Sequence, residues 1–503
     1  MSDFPWLSTL GAIPLVGSVV VAFLPRATAK AARMVAVVFS LVTLAVAVLM
    51  ATQFQVGAKE QFQFTEMHEW IPQFGVSYAL GVDGIALVLI LMSAVLVPVC
   101  LLAAWNDVPE VGRRQQGYFA LMLVLETFMI GVFSATDVFL FYLLFEAMLV
   151  PVYFLIGSFG GERRRYAALK FLLYSLLGGL IMLVAVIAVY IYGPGGTDGF
   201  LVSTLTGVDF DPTAGRLMFL GFFFAFAVKA PMWPVHTWLP DAATEARPAT
   251  AVLLVGVLDK VGTFGMIRFC LQMFPDAARW ATPVIVALAV LSVLYGALVA
   301  IGQRDMMRLI AYTSISHFGF IVLGIFAMTT TGGAGSTLYM VNHGFTTAAL
   351  FLVAGMLIKR RGSKFIPDFG GWQKITPVIA GVWLLSGLSG LALPGLNSFV
   401  SEFLVLVGTF QRYQVAAIFA TIGIVLAALY ILLMYKRMMH GPEPTGIGSV
   451  ADMTVREKWV VAPIIAVFLF LGFYPKPALD VINPAVSQTL HHVGVTDPAP
   501  LTG

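Results

Sequence analysis

Long runs of apolar residues, separated by short polar stretches, recur along the whole chain. Each run holds about 20 residues, the length that an α-helix needs to cross a hydrocarbon core about 30 Å thick. Proline and glycine interrupt two segments, near 230–248 and 392–400, and predict two broken helices. We predict an all-α polytopic membrane protein with about 14 transmembrane helices, near residues 6–24, 34–53, 80–104, 116–134, 136–157, 167–192, 216–230, 249–273, 281–301, 307–329, 335–358, 376–409, 415–437 and 457–474.

Composition supports a membrane protein. The chain is 59% hydrophobic and 11% charged, whereas soluble domains carry about 25% charged residues. The formal net charge of +3 and the lack of a basic, aromatic-laced stretch argue against nucleic acid as a partner. Cys100 and Cys270 lie in apolar runs and are predicted to be packing residues. The first apolar segment follows Asp3 rather than a basic region, which predicts a retained helix.

The lysines and arginines indicate the orientation in the membrane, because cytoplasmic loops carry an excess of them. With the N-terminus outside, 21 of the 29 basic residues, from Arg26 to Lys458, fall on the cytoplasmic side and six on the outer side. Lys229 and Lys260 remain within the membrane. This asymmetry predicts an even number of spans and both termini on the outer, periplasmic side.

Six ionisable side chains interrupt the apolar segments, where a charge costs about 2.5–3.5 kcal/mol on insertion scales. At 1.5 Å per residue, Glu146 lies about 12 Å, Lys229 about 18 Å and Lys260 about 15 Å into its segment. Their similar depth on separate helices predicts one buried polar track. The six candidate residues are Glu146, Lys229, Lys260, His317, His343 and Glu402.

Five of the six candidates, all but Glu402, also have a purely structural interpretation. Glu146 and Lys229 can form a buried ion pair, and Asp259 beside Lys260 offers a similar pairing. Either histidine can be a packing residue. Haem ligation is disfavoured, because cytochromes of that kind usually need more histidines.

The two breaks place charges at helix ends. Two prolines within five residues of Lys229 end the first helix there, and the negative end of the helix dipole favours its ammonium form. In the second break, Asn397 or Ser398 is predicted to cap a new half-helix. Glu402 would then lie in its first turns, where the positive end of the dipole favours the carboxylate. Interrupted helices in corresponding halves indicate an ion site near the midplane.

Spacing indicates an internal repeat. Glu146 and His317 are 171 residues apart, and Lys229 and Glu402 are 173 apart. We predict an N-terminal region of three helices, a translocation core built from two inverted five-helix repeats, and a C-terminal region, at residues 1–115, 116–440 (repeats about 116–273 and 281–437) and 441–503.

Buried lysine and glutamate pairs can move protons. Moving or neutralising one partner changes whether the other holds a proton. The sequence has no phosphate-binding GxxxxGK[ST], no dinucleotide-binding GxGxxG and no metal-cluster motif. The driving energy must therefore come from an ion gradient or from a partner subunit, and we predict a partner.

Five stretches resemble the antiporter-like membrane subunits of respiratory complex I, the proton-translocating NADH:quinone oxidoreductase. The similarity runs from about 115 to 440 and is closest to the M, or chain 4, branch. The stretches are LFEAMLVPVYFLIG, VKAPMWPVHTWLPDA, RLIAYTSISHFGF, VNHGFTTAALFL and LPGLNSFVSEF.

The resemblance implies a role for each candidate. Glu146 and Lys229 match the paired glutamate and lysine of the family, and Lys260 matches its central lysine. His317 and His343 match the connecting histidines. Glu402 matches the terminal glutamate, where the L and N subunits and the Mrp-type antiporters usually place lysine.

The family also implies location and partners. It predicts a multi-pass protein of the bacterial plasma membrane, beside L-like and N-like subunits that connect it to the redox arm. Flavin, iron–sulfur clusters and quinone are expected in partner subunits, and none in this chain. Three residues depart from the family pattern: Asp259 replaces an apolar residue, Ala243 a common histidine and Met307 a common lysine.

The leading hypothesis is a proton-pumping membrane subunit of complex I, driven by quinone reduction elsewhere in the complex. Two alternatives remain open at this point. One is a subunit of an Mrp-type cation/proton antiporter, and the other is a membrane subunit of an energy-converting hydrogenase.

Overall fold

The computed structural model describes residues 4–25, 28–443 and 448–499. Arg26 and both chain ends, which enter the orientation argument, lie outside these residues. The helices are α1 Trp6–Phe23, α2 Ala29–Thr52, α3 Gly84–Ala103, α4 Arg114–Ser134, α5 Val138–Ala147, α6 Leu149–Phe159, α7 Arg164–Tyr192, α8 Val202–Leu205, α9 Pro212–Lys229, α10 Trp238–Glu245, α11 Pro248–Ala251, α12 Asp259–Gly265, α13 Pro275–Ile301, α14 Met306–Phe326, α15 Thr330–Arg361, α16 Trp372–Ile375, α17 Pro377–Gly390, α18 Asn397–Phe410, α19 Gln414–Met439, α20 Val455–Phe473 and α21 Lys476–Val493. Two strands, β1 Gln63–Ile71 and β2 Val76–Val82, form an antiparallel hairpin.

The described residues contain 12 helices long and apolar enough to cross a membrane, or up to 13 if α20 and α21 count as one span bent by 71°. The predicted polytopic helical class is therefore confirmed. The predicted count of about 14 differs because the segment near 376–409 is divided into α17 and α18, which have 14 residues each. Neither of these helices alone reaches across a hydrocarbon core.

The hairpin was not predicted from the sequence. It occupies the polar stretch before α3, so that helix begins at Gly84 rather than near residue 80. Glu66 of β1 accepts hydrogen bonds from the backbone N–H groups of Leu7 at 2.7 Å and Ser8 at 3.2 Å. These donors lie in the first turn of α1, where helical N–H groups lack partners within the helix. The hairpin thus caps the first helix.

Central helices carry the polar residues, and peripheral helices present apolar side chains outward. Every residue of α12 is buried, and so is every residue of α14 except Arg308. On α7 and α19, by contrast, Val184 is 69% exposed and Val425 is 68% exposed. Ionisable residues of membrane helices almost always face the bundle interior, and this bundle follows that rule.

The first break follows the sequence prediction. Helix α9 ends at Lys229, and α10 begins only at Trp238. Beyond it, the span Pro248–Leu271 contains two π-helical stretches, Val252–Leu258 and Met266–Leu271, on either side of α12. Such widened turns occur frequently at functional sites, and the sequence pattern did not indicate them.

The second break corrects one prediction. Neither Asn397 nor Ser398 caps α18, because the N-cap position is Leu396 and no side-chain cap is present within the described residues. The Asn397 amide instead donates to the backbone carbonyl of Asn342 on α15, at 3.2 Å. A contact with a neighbouring helix has replaced the local cap. The connection also needs positive φ at Ala392, an unusual conformation for a residue with a Cβ atom.

Candidate functional site

Glu146 lies at the end of α5, where α5 gives way to α6. Pro151 explains this break, because its nitrogen has no hydrogen to donate to the carbonyl of Ala147. The Glu146 carboxylate packs against α7 at Gly179, where a Cβ atom would overlap it. Its Oε1 atom has no hydrogen-bond partner among the described residues. The glycine therefore makes room for a half-buried carboxylate inside the bundle.

Lys229 is the last residue of α9 and is 1% exposed. Its ammonium group lies 5.4 Å from the ring centroids of both Phe145 and Phe171, within the range of cation–π attraction. Its nitrogen makes no hydrogen bond within the part of the chain that the structure describes. Asp259 and Glu146 are the acidic groups whose charges act on it. Lys229 is thus within electrostatic reach of two carboxylates.

Lys260 makes direct polar contacts that Lys229 lacks. Its Nζ atom lies 2.7 Å from Nδ1 of His343 and donates to the backbone carbonyl of Val255 at 2.7 Å. That carbonyl belongs to the π-helical stretch Val252–Leu258. The ring of Phe318 covers the ammonium group at 4.9 Å. The widened helix and the histidine together hold the lysine in the centre of the bundle.

From His343, ring contacts continue toward the second break. The ring centroids of His343 and His317 are 5.2 Å apart, and those of His317 and Tyr339 are 5.8 Å apart. The Tyr339 hydroxyl donates to Oε2 of Glu402 at 2.7 Å. The Tyr430 hydroxyl lies 3.4 Å from Nε2 of His317. Four of the predicted residues, from Lys260 to Glu402, are therefore linked in one line.

Hydrogen bonds hold the second break in place beside this line. The Asn342 amide donates to the backbone carbonyl of Asn397 at 2.7 Å and to the Ser401 hydroxyl at 3.0 Å. The Ser389 hydroxyl donates to the Asn397 side chain and lies 2.6 Å from the Thr346 hydroxyl. These bonds fix the start of α18, and hence the position of Glu402, against α15.

Three side chains near the track were missed in the sequence analysis. Tyr339 precedes His343 by four residues, so both share one face of α15, and this spacing could have identified it. Tyr430 sits in an apolar run with no comparable signal. His236, within the first break, is buried, and neither of its ring nitrogens has a hydrogen-bond partner among the residues described.

A charged network joins α10 to the first turns of α7 and α14. Asp241 accepts hydrogen bonds from Lys170 and Arg308, each at 2.7 Å. Burial alone would raise the pKa of Asp241, but the two cations outweigh it and hold that pKa below its usual value. Ala243 and Met307, at the two positions where the resemblance predicts a histidine and a lysine, are both buried. Apolar packing fills these two positions.

The line of ionisable side chains is shielded from the exterior. Five of the six predicted residues are buried, and Glu146 is half-buried. Within residues 4–25, 28–443 and 448–499, no group of three or more His, Cys, Asp or Glu side chains is arranged to hold a metal ion. Lysines, imidazoles and carboxylates placed along one line can accept and release protons in sequence. A polytopic helical bundle with this interior and two broken helices is an antiporter-like membrane protein.

Comparison with known families leads to the same class. The family profile described as NADH:quinone oxidoreductase/Mrp antiporter, transmembrane, matches residues 135–427. A second profile, the amino terminus of NADH-ubiquinone oxidoreductase chain 4, matches residues 19–132. The chain belongs to the NADH:quinone oxidoreductase/Mrp antiporter family, and the resemblance predicted from the sequence is confirmed.

Individual relatives cover nearly the whole chain. NADH-quinone oxidoreductase subunit M of Mycobacterium tuberculosis is 52% identical over 99% of this chain and 96% of its own length. A chain of respiratory complex I from Thermus thermophilus, solved with bound NADH, is 28% identical with a TM-score of 0.88, over 97% of this chain and all of that one. A chain of the Mrp complex from Dietzia sp. shares the fold, with a TM-score of 0.87 at 21% identity, over 98% of this chain and all of that one.

Proposed function

We propose that this chain is the M-type membrane subunit of a respiratory NADH:quinone oxidoreductase and that it translocates protons along its buried track. The observation that carries this proposal is the line from Lys260 through His343, His317 and Tyr339 to Glu402. Each step in it is a hydrogen bond or a ring contact. The profile that matches residues 135–427 describes both oxidoreductase and Mrp proteins, so it does not distinguish between them. The profile that matches residues 19–132 describes only chain 4 of the oxidoreductase, and it therefore favours the M-type branch.

Each part of the track has a proposed role. Glu146 and Lys229 form a charge switch, in which changing one group alters whether the other holds a proton. Lys260 is the central proton carrier. His343 and His317 connect it to Glu402, which exchanges protons at the far end of the track. Tyr339 positions the Glu402 carboxylate by donating to it.

The proposed arrangement has 14 spans, with α17 and α18 together crossing once and α20 crossing alone. The core at 116–440 comprises inverted repeats at about 116–273 and 281–437, between the flanking regions 1–115 and 441–503. Both termini lie on the outer side of a bacterial plasma membrane. Gln272 accepts a hydrogen bond from Gln61, near the hairpin, and donates one to Thr489 of α21, which supports a common side for these segments.

The proposed complex supplies the driving energy. Flavin, iron–sulfur clusters and quinone belong to partner subunits, and L-like and N-like neighbours connect this chain to the redox arm. Isolation of the complex in mild detergent tests this assignment. We expect co-purifying flavin and iron–sulfur absorbance together with NADH oxidation. Redox-silent partners would overturn the assignment and favour an Mrp-type antiporter, whose chain has the same fold, and hydrogenase activity would favour an energy-converting hydrogenase.

Gly179→Ala tests the position of Glu146. The added Cβ atom overlaps the carboxylate and must displace it. We expect proton pumping by the assembled complex to fall about tenfold or more, because a misplacement of about 1 Å can cost about 100-fold. Gly381→Ala is the matched control, since no heavy atom lies within 4 Å of its added Cβ. Equal pumping by both variants would contradict the proposed role of Glu146.

Tyr339→Phe tests the hydrogen bond to Glu402. The substitution removes the hydroxyl and keeps the ring beside His317. A hydrogen bond to a charged group contributes about 1.5–3 kcal/mol, so we expect pumping to fall about tenfold. Tyr474→Phe, at an exposed position, is the control. Pumping in vesicles, measured with a pH-sensitive dye, would stay at the wild-type rate if this bond has no part in translocation.

A further inference from the structure

Asp259 is a buried carboxylate to which the proposed roles assign nothing. It is 0% exposed, and neither carboxylate oxygen has a hydrogen-bond partner among the described residues. Burying such a group without partners is unfavourable. A costly carboxylate that lies within electrostatic reach of two lysines of the track points to a chemical role.

Packing places the helix that carries Asp259 against the end of α9 that carries Lys229. Gly262 follows Asp259 by three residues and shares its face of α12. A Cβ atom at Gly262 would lie 2.6 Å from both the backbone nitrogen of Ala230 and the carbonyl oxygen of Phe226. The two backbones are therefore in contact at the end of α9. The face of α12 that carries Asp259 is turned toward the helix end that carries Lys229.

Charge interactions agree with this placement. Both Asp259 and Glu146 act electrostatically on Lys229. Asp259 itself interacts with both Lys260 and Lys229. The Asp259 carboxylate makes no direct hydrogen bond to either lysine, since it has no hydrogen-bond partner in the described part of the chain. It therefore lies within electrostatic reach of both lysines without being bound to either.

We propose that Asp259 is a proton-exchanging carboxylate that relays protons between Lys229 and Lys260. This inference rests on the proposed function of the track. The Lys229 ammonium transfers a proton to the Asp259 carboxylate, which leaves a neutral amine and a carboxylic acid. The acid then transfers the proton to the neutral amine of Lys260 and becomes a carboxylate again. One proton has moved from one lysine to the other, and Asp259 has returned to its starting form.

The relay gives Lys229 two alternative counter-ions. Interaction with Glu146 keeps its charge at the side of the bundle where α5 meets α7, and interaction with Asp259 draws it toward the centre. Release of Lys229 from Glu146 then favours transfer to Asp259, so the charge switch and the central lysine are coupled through a side chain. A purely structural counter-ion would hold the same charges without exchanging protons.

Asp259→Asn and Asp259→Glu in the intact complex, reconstituted in proteoliposomes, distinguish the two roles. We expect Asp259→Asn to slow pumping about 100-fold, the lower end of the range for loss of one acid–base group. Its solvent deuterium isotope effect should rise, because the remaining proton transfer becomes rate-limiting. Asp259→Glu keeps a carboxylate and should recover at least about half of the rate. The control is Glu126→Gln, at another buried carboxylate whose oxygens lack partners among the described residues, and its pumping should be unchanged.

Two results would overturn the relay. One is normal pumping in Asp259→Asn, and the other is equal slowing in both variants with an unchanged isotope effect, which identifies a structural counter-ion. NADH oxidation with an artificial acceptor monitors assembly. If Asp259→Asn does not assemble, Asp259→Leu, which places an uncharged apolar side chain at this buried position, carries the same expectations. Lys229→Ala, measured in parallel, separates the two proposals. Normal pumping by Lys229→Ala would refute the proposed track. Loss of pumping in Lys229→Ala together with normal pumping in Asp259→Asn would refute only the relay.

Discussion

Lys229→Ala is expected to abolish proton pumping and the quinone reduction coupled to it. The substitution removes the cation between the Glu146 and Asp259 carboxylates, so the charge switch has no proton to pass on. Losing a positioned acid–base group costs about 10²- to 10⁴-fold, and we expect a loss of at least about 100-fold. NADH oxidation with an artificial acceptor should survive, because it needs only the redox subunits. Both rates are measured on the same membrane vesicles.

Lys374→Ala is the matched control for Lys229→Ala, since Lys374 is an exposed lysine. It should pump at the wild-type rate. Unchanged pumping by a well-assembled Lys229→Ala complex would remove Lys229 from the mechanism. A loss of the artificial-acceptor activity as well would indicate failed assembly, and Lys229→Arg, which keeps the charge, would then separate assembly from proton transfer.

Lys260→Met is expected to have a comparable effect by cutting the track at its centre. Methionine keeps the length of the side chain and its apolar stem but carries no proton. The substitution leaves Nδ1 of His343 and the carbonyl of Val255 without the ammonium donor that each contacts at 2.7 Å. We again expect pumping to fall by at least about 100-fold, the loss of one acid–base group.

The control for this variant is Lys436→Met at an exposed position. Measurement of the dye response in proteoliposomes, alongside NADH:quinone activity, distinguishes loss of pumping from loss of coupling. If Lys260→Met pumps normally, protons do not pass through the centre of the bundle. The line from His343 to Glu402 would then be a structural hydrogen-bond network.

Local sequence signals predicted much of the fold. Apolar runs located the helices because a membrane span must satisfy all its backbone hydrogen bonds internally, whatever its neighbours are. The two prolines after Lys229 ended α9 at the predicted residue, since the loss of an N–H donor acts within one turn. The second break was placed correctly, but its cap was not, because Asn397 bonds to α15 rather than to its own helix.

The candidate site was predicted residue by residue but not as an arrangement. Lys260 and His343 are 83 residues apart in sequence, and Tyr339 and Glu402 are 63 apart. No spacing rule reaches across such distances. The connecting hydroxyl of Tyr339 and the place of Asp259 near Lys229 followed only from the packed helices. The hairpin and the π-helical stretches likewise depend on neighbours that local patterns do not report.

By itself, the sequence determined that this chain is a polytopic helical membrane protein of the antiporter-like family, with six ionisable groups among its apolar segments. Those properties depend on hydropathy, proline chemistry and motifs, which act locally. Tertiary structure alone decided which of those groups meet, because contact between distant segments depends on how the whole bundle packs. It joined Lys260 to Glu402 through histidines and a tyrosine, and it placed a second carboxylate, that of Asp259, near Lys229.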